Sequence, residues 1–80
     1  MKVTVRYFAS IREALGQGSE VCDTQAATVG DLRAELVARG PSYASALGSA
    51  RPLRMALDQV MVEETTPLHE GAEVAFFPPV

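Results

Sequence analysis

The side chains able to do chemistry are few, and their spacing gives them little to do together. His69 stands beside Glu70 in turn-forming sequence with no second histidine in the chain. It reads as a solvated turn residue rather than a ligand or general base. Cys22 is the sole cysteine, which excludes an internal disulfide framework, a metal site built on cysteine pairs and a four-cysteine iron–sulfur cluster. It has no histidine or cation next to it in sequence to hold a thiolate, so it reads as a half-buried, inert thiol. Glu63 and Glu64 are adjacent and point to opposite sides of an extended chain, which is wrong for a catalytic carboxylate pair. Gly16-Gln17-Gly18 follows a helical pattern rather than a strand, so it lacks the setting of a phosphate-cradling loop. This residue set predicts no catalysis by the chain's own side chains and no directly bound cofactor or metal.

Binding is a different matter. Val3, Val5 and Tyr7 alternate with Lys2, Thr4 and Arg6, the period of a half-buried strand. Phe8 then falls on the polar row. In the last strand Val74 and Phe76 share one row, which sends Phe77 to the other. Around Val60-Met61-Val62 the valines take one side and Met61 the opposite one. Phe8, Met61 and Phe77 are therefore expected together on the sheet face turned away from the main helix. An exposed apolar patch of aromatic residues and methionine marks an interaction surface. The end of the sequence, Phe76-Phe77-Pro78-Pro79-Val80, carries no charge. Its paired prolines favour a stiff polyproline II path of ~3.1 Å per residue, which loses little entropy on entering a channel.

The elements that must position these groups are legible in order. A strand ending near Phe8 is followed by a short helix, in which Ser10 and Glu13 fit a capping box and Gly16 a stop. A weak strand covers Glu20 to Asp23. Thr28 can cap the main helix, whose Val29, Leu32 and Leu36 form an apolar stripe and whose Glu35 and Arg39 suit an i,i+4 pair. Gly40-Pro41 ends it. A short helix is expected at Ser42 to Leu47, strands between Leu53 and Val62 with a break at Asp58-Gln59, and a last strand at Glu73 to Phe77, with Leu68 plugging the core's edge. Eighty residues suit one domain spanning 1–80, with 78–80 starting an extended tail. This order predicts an α+β fold of β-grasp (ubiquitin-like) type, a mixed sheet with one long helix across one face and short extra helices. A ferredoxin-like sandwich is the alternative, though its second long helix is missing.

Composition fits an ordinary globular protein, with 48% hydrophobic and 21% charged residues and no run long enough to span a bilayer. A cytoplasmic protein with no membrane contact is expected. The first forty residues balance five basic groups against five acidic ones. Residues 41–80 set Arg51 and Arg54 against Asp58, Glu63, Glu64, Glu70 and Glu73, and so hold the whole net charge of −3. No basic patch exists for nucleic acid, and a partner docking on the second half is expected to offer basic groups.

The chain also resembles a known family from end to end. Val5-Arg6-Tyr7-Phe8-Ala9-Ser10-Ile11-Arg12-Glu13, Thr28-Val29 with Leu32, and Pro67-Leu68-His69-Glu70-Gly71-Ala72-Glu73-Val74 match motifs of ubiquitin-like sulfur carriers. The ending Glu73-Val74-Ala75-Phe76-Phe77-Pro78-Pro79-Val80 is similar to that of the molybdopterin synthase small-subunit branch, the MoaD/ThiS family. The shorter motifs recur in the thiamine-pathway carriers, and the Phe-Phe-Pro-Pro-Val ending favours the molybdopterin branch. The resemblance implies a terminal Gly-Gly, adenylated with ATP by an E1-like activating enzyme and converted to a thiocarboxylate. That tail would then donate sulfur to cyclic pyranopterin monophosphate inside the large synthase subunit. It implies a heterotetramer of two small and two large subunits, and partner contacts at Phe8, Met61, Phe77, Pro78, Pro79 and Val80. The printed sequence stops at Val80, so the reactive glycine is expected beyond it. A thiamine-pathway carrier and a ubiquitin-like binding or modifier module without sulfur chemistry remain the alternatives.

Overall fold

The computed structural model describes residues 1–50 and 52–79. In chain order the elements are β1 (Lys2–Tyr7), α1 (Ala9–Leu15), β2 (Ser19–Asp23), α2 (Val29–Val37), α3 (Pro41–Leu47), β3 (Arg54–Leu57), β4 (Val60–Val62) and β5 (Glu73–Phe77). The five strands form one sheet in the order β2-β1-β5-β3-β4. β5 pairs parallel to β1 and antiparallel to β3, while the two edge strands pair antiparallel to their neighbours. First and last strands are thus central neighbours, as the β-grasp expectation requires, and the ferredoxin-like alternative is discarded.

The alternation in the strands decides what the core is made of. Val3, Val5, Tyr7, Val74 and Phe76 are at most 1% exposed and face the helical layer. Val29, Leu32 and Leu36 of α2 meet them in one apolar cluster, with Ile11 of α1 and Ala46 and Leu47 of α3. Leu68 is half-buried against this cluster, sealing its edge as expected. The Thr28 hydroxyl accepts from the Asp31 amide at 3.1 Å, so α2 starts where its cap predicts. Gly30 allows close approach there: its amide donates to the Glu64 carbonyl at 2.8 Å, and an added Cβ would meet Glu64 at 3.0 Å. The break at Asp58-Gln59 is a tight hairpin with φ of 50° and 70°, the left-handed geometry that such turns demand.

Two expectations need correction. The capping box does not form: α1 begins at Ala9, with Phe8 as its cap residue and no side-chain cap. Phe8 still belongs to the sheet, because its amide donates to the Phe76 carbonyl at 3.2 Å, and the chain turns into helix at once. Its own carbonyl accepts from the Ile11 and Arg12 amides, so Ser10 lies inside the helix, too late to cap it. The Glu35–Arg39 pair does not form either, since α2 ends at Val37 and Arg39 has left the helical path. Glu35 instead accepts the Thr24 hydroxyl, and Arg39 reaches across to Glu20 at 2.6 Å.

Glu20 is the hub of a polar network between sheet and helices. One carboxylate oxygen accepts from Arg39, and the other from the Tyr7 hydroxyl at 2.8 Å, the Tyr43 hydroxyl at 2.9 Å and the Gln17 amide at 3.0 Å. Burial on its own raises the Glu20 carboxyl, but the bonds from Arg39, Tyr7 and Tyr43 outweigh it and hold the group below its ordinary value. A depressed carboxyl stabilises the fold above its unfolded value, and that contribution is lost as pH falls through the folded one. Glu20→Gln is therefore expected to cost about 1–2 kcal/mol at neutral pH and to flatten the acid side of the stability curve. Denaturant titrations at several pH values check this; unchanged neutral stability would show that the network contributes nothing.

Candidate functional site

The face of the sheet turned away from α2 is built by strand register. Arg6 lies opposite Ala75, Ala75 opposite Ala56, and Ala56 opposite Met61. One row thus crosses four strands with a floor of two alanines. The next layer toward the tail pairs Arg54 with Phe77. Phe8, extended at φ −126° and ψ 155°, continues the alternation of β1 and turns outward beside it. The Phe8 and Phe77 rings meet edge to face at 5.8 Å and 84°. Phe8 is 38% and Met61 52% exposed, while Phe77 is half-buried. Phe8 and Phe77 are thus in direct contact, and Met61 lies across the alanine floor from them.

Arg6 was not singled out by the sequence pattern, yet it braces this face. Its guanidinium lies 5.5 Å from the Phe8 ring centroid and 3.9 Å from the Glu73 carboxylate. The Phe8 contact follows from the i,i+2 spacing of one strand row, but Arg6 and Glu73 meet only through the parallel pairing of β1 with β5. Beyond Phe77 the chain leaves regular structure, with Pro78 half-buried and Pro79 exposed. Val80, expected to act with them, lies outside the described residues. Val60 and Val21 are also exposed, at 63% and 66%.

The acidic groups of the second half are not arrayed as a bare acidic surface. Glu73 pairs with Arg6 and Glu64 with Arg33 at 2.8 Å, while Glu70 accepts the Lys2 backbone amide at 3.0 Å. Asp58 accepts the Glu73 amide at 3.0 Å and contacts His69 Nε2 at 2.6 Å. Much of the charge is thus engaged, with Asp58, His69 and Glu70 at the end of the sheet opposite the tail. His69 is exposed, as expected, but it is held rather than merely solvated. The bond to Asp58 and then the Glu70 carbonyl raise its imidazole above the ordinary value. The Glu73 amide and then His69 lower Asp58.

Cys22 is more buried than expected, at 3% exposed, and a cation does lie near it: Arg39 Nη2 is 3.4 Å from its sulfur. Burial, with Glu20 nearby, still pushes the thiol up, which keeps it protonated and unreactive. Among the described residues no group of three His, Cys, Asp or Glu could hold a metal ion, and no helix is long and apolar enough to cross a membrane.

A mixed five-stranded sheet grasping one main helix, with its first and last strands central and parallel, defines a ubiquitin-like β-grasp protein. The chain belongs to the ThiS family, whose model matches residues 5–80. It is 37% identical over 78 residues to the molybdopterin synthase sulfur carrier subunit of Escherichia coli K12, covering 98% of this chain and 95% of the relative. The Haemophilus influenzae protein of the same name is 32% identical with the same coverage. Among solved structures, SAMP1 of Haloferax volcanii superposes with a TM-score of 0.84 at 26% identity, covering 100% of this chain and 97% of that one. The complex of subunits 1 and 2 of molybdopterin-converting factor from Helicobacter pylori contains a chain matching at TM-score 0.72 and 27% identity, with 100% and 96% covered.

The His69–Asp58 pair gives a direct check on the local geometry. A raised imidazole favours the folded state below its unfolded value, and that preference is lost as pH rises through the folded one. NMR titration is expected to place His69 above the ordinary histidine value and to return it there in Asp58→Asn. A wild-type titration at the ordinary value would dissolve the pair.

Proposed function

We propose that this chain is the small, sulfur-carrying subunit of a molybdopterin synthase and works by docking its outer sheet face on the large subunit. The observation that carries the reading is the contiguous Phe8–Phe77 contact and Met61, beside an uncharged tail starting at Pro78. Such a face is what a protein partner buries, with aromatic anchors at the centre. Full-length similarity to two sulfur carrier subunits and to a chain in a complex of subunits 1 and 2 of molybdopterin-converting factor supports that choice of partner.

In this reading the chain positions and does not catalyse. The carboxylate of a glycine expected beyond Val80 is adenylated with ATP by an E1-like enzyme, which makes it an acyl group open to attack. A sulfide-level nucleophile from a sulfur donor then attacks the acyl carbon and releases AMP, leaving a thiocarboxylate. The tail, with Pro78, Pro79 and Val80 as its lead-in, carries that sulfur into the large subunit to cyclic pyranopterin monophosphate. Glycine suits the reacting end because backbone alone must pass and the carbonyl stays open.

A second reading is a protein modifier without sulfur transfer, favoured by the likeness to SAMP1, whose full name is small archaeal modifier protein 1. The two separate cleanly. Mass spectrometry of a chain ending in Gly-Gly, given activating enzyme, ATP and a sulfur donor, is expected to show a gain of ~16 Da as sulfur replaces oxygen. An unchanged mass where a known carrier is thiolated, together with attachment to lysines of other proteins, would favour the modifier. For docking, Phe8→Asp and Phe77→Asp are each expected to keep the fold and to weaken binding to the large subunit by about 30-fold or more. Wild-type affinity of both variants in calorimetric titration would remove the docking face.

A further inference from the structure

Beside the aromatic face lies an open groove of about 420 Å³ between β3, β4 and the tail, with Arg54, Met61, Glu63 and Pro79 among its lining residues. Arg6, Arg33 and Arg39 pair with glutamates, whereas Lys2, Arg12 and Arg54 make no ion pair among the described residues. The Arg54 guanidinium has no hydrogen-bond or ion-pair partner among the described residues, and Glu63, on the same groove, has no ion pair there either. Both residues are exposed. Two opposite charges therefore share a groove without an ion pair between them, with the apolar Met61 and Pro79 alongside. That arrangement is complementary to a surface strip that bears both signs around an apolar side chain.

We propose that this groove seats a segment of the protein partner that sets a carboxylate against Arg54 and a basic group against Glu63, with an apolar side chain on Met61 and Pro79. The inference rests on the docking reading above and adds the chemistry of the surface that docks. Two features argue for a protein segment. Met61 belongs to both groove and aromatic face, so one partner can cover the two without a gap. The groove is also open to solvent and lacks the enclosure of a small-ligand site. The expectation that partners of the second half offer basic groups is thereby refined: a basic group fits at Glu63, and an acidic one is required at Arg54.

The test is calorimetric titration of the large subunit with wild type, Arg54→Glu, Arg54→Lys, Glu63→Lys and Phe77→Asp, at about 0.05 M and about 0.5 M salt, the latter to screen exposed charge. Thermal melts check that each variant folds; Arg54 and Glu63 are exposed and make no ion pair, so their melts should match wild type. Arg54→Glu and Glu63→Lys are each expected to weaken binding about tenfold at low salt and much less at high salt. Arg54→Lys keeps the charge and is expected to bind within about threefold of wild type. Phe77→Asp should lose binding at both salts. Wild-type affinity of either charge reversal at low salt, while Phe77→Asp still fails, overturns this inference alone. Wild-type affinity of Phe77→Asp removes the docking reading and this inference with it.

Discussion

The parallel pairing of β1 with β5 is the constraint on which the rest of this structure depends. It joins the two ends of the described chain at the centre of the sheet, with Val5 opposite Val74 and Tyr7 opposite Phe76. Those inward residues build the core that α2 covers. Through the same register Arg6 meets Glu73, and Phe8 comes against Phe77 just as the tail departs. A one-residue slip in this ladder would turn each strand's side chains to the other face. Core and outer aromatic face would be lost together.

The helical layer is held against that sheet by satisfied polar groups as well as by apolar burial. Glu20 gathers donors from α1's exit, β1, α3 and the end of α2. Arg33, only 7% exposed, donates to the Leu47 and Gly48 carbonyls at 2.6 and 2.7 Å and to Glu64 at 2.8 Å. It thereby closes the open end of α3 and ties it to the segment after β4. Among the described residues no buried side-chain nitrogen or oxygen lacks a partner. In a domain whose core is this thin, such networks specify which helix meets which strand, while the apolar cluster supplies the driving force.

The site has its own logic. In the proposed reading the tail needs a rigid base and a surface to be gripped, and both are adjacent here. The tail follows a central strand rather than a fraying edge. Beside it lies a pair of rings braced by a cation, next to a floor of two alanines. Neither feature requires a reactive side chain, in keeping with a buried, protonated Cys22 and a His69 tied to Asp58 at the far end of the sheet.

Much of this was legible without coordinates, because its causes are local. Period-two alternation named Val3, Val5, Tyr7, Val74 and Phe76 as core and turned Phe8, Met61 and Phe77 outward. Spacing along α2 named Val29, Leu32 and Leu36, and Thr28 fixed where that helix starts. Local signals failed where long-range bonds outbid them. Ser10 lost its capping role because Phe8 stays in the sheet, and Arg39 left Glu35 for Glu20. Which strands lie side by side, and therefore that Arg6 meets Glu73 while Arg54 and Glu63 share a groove beside Met61, was settled by the tertiary fold alone. Pattern along a chain reports which face a side chain takes. Its neighbours on that face come from strand order and register, which the packing of the whole core selects.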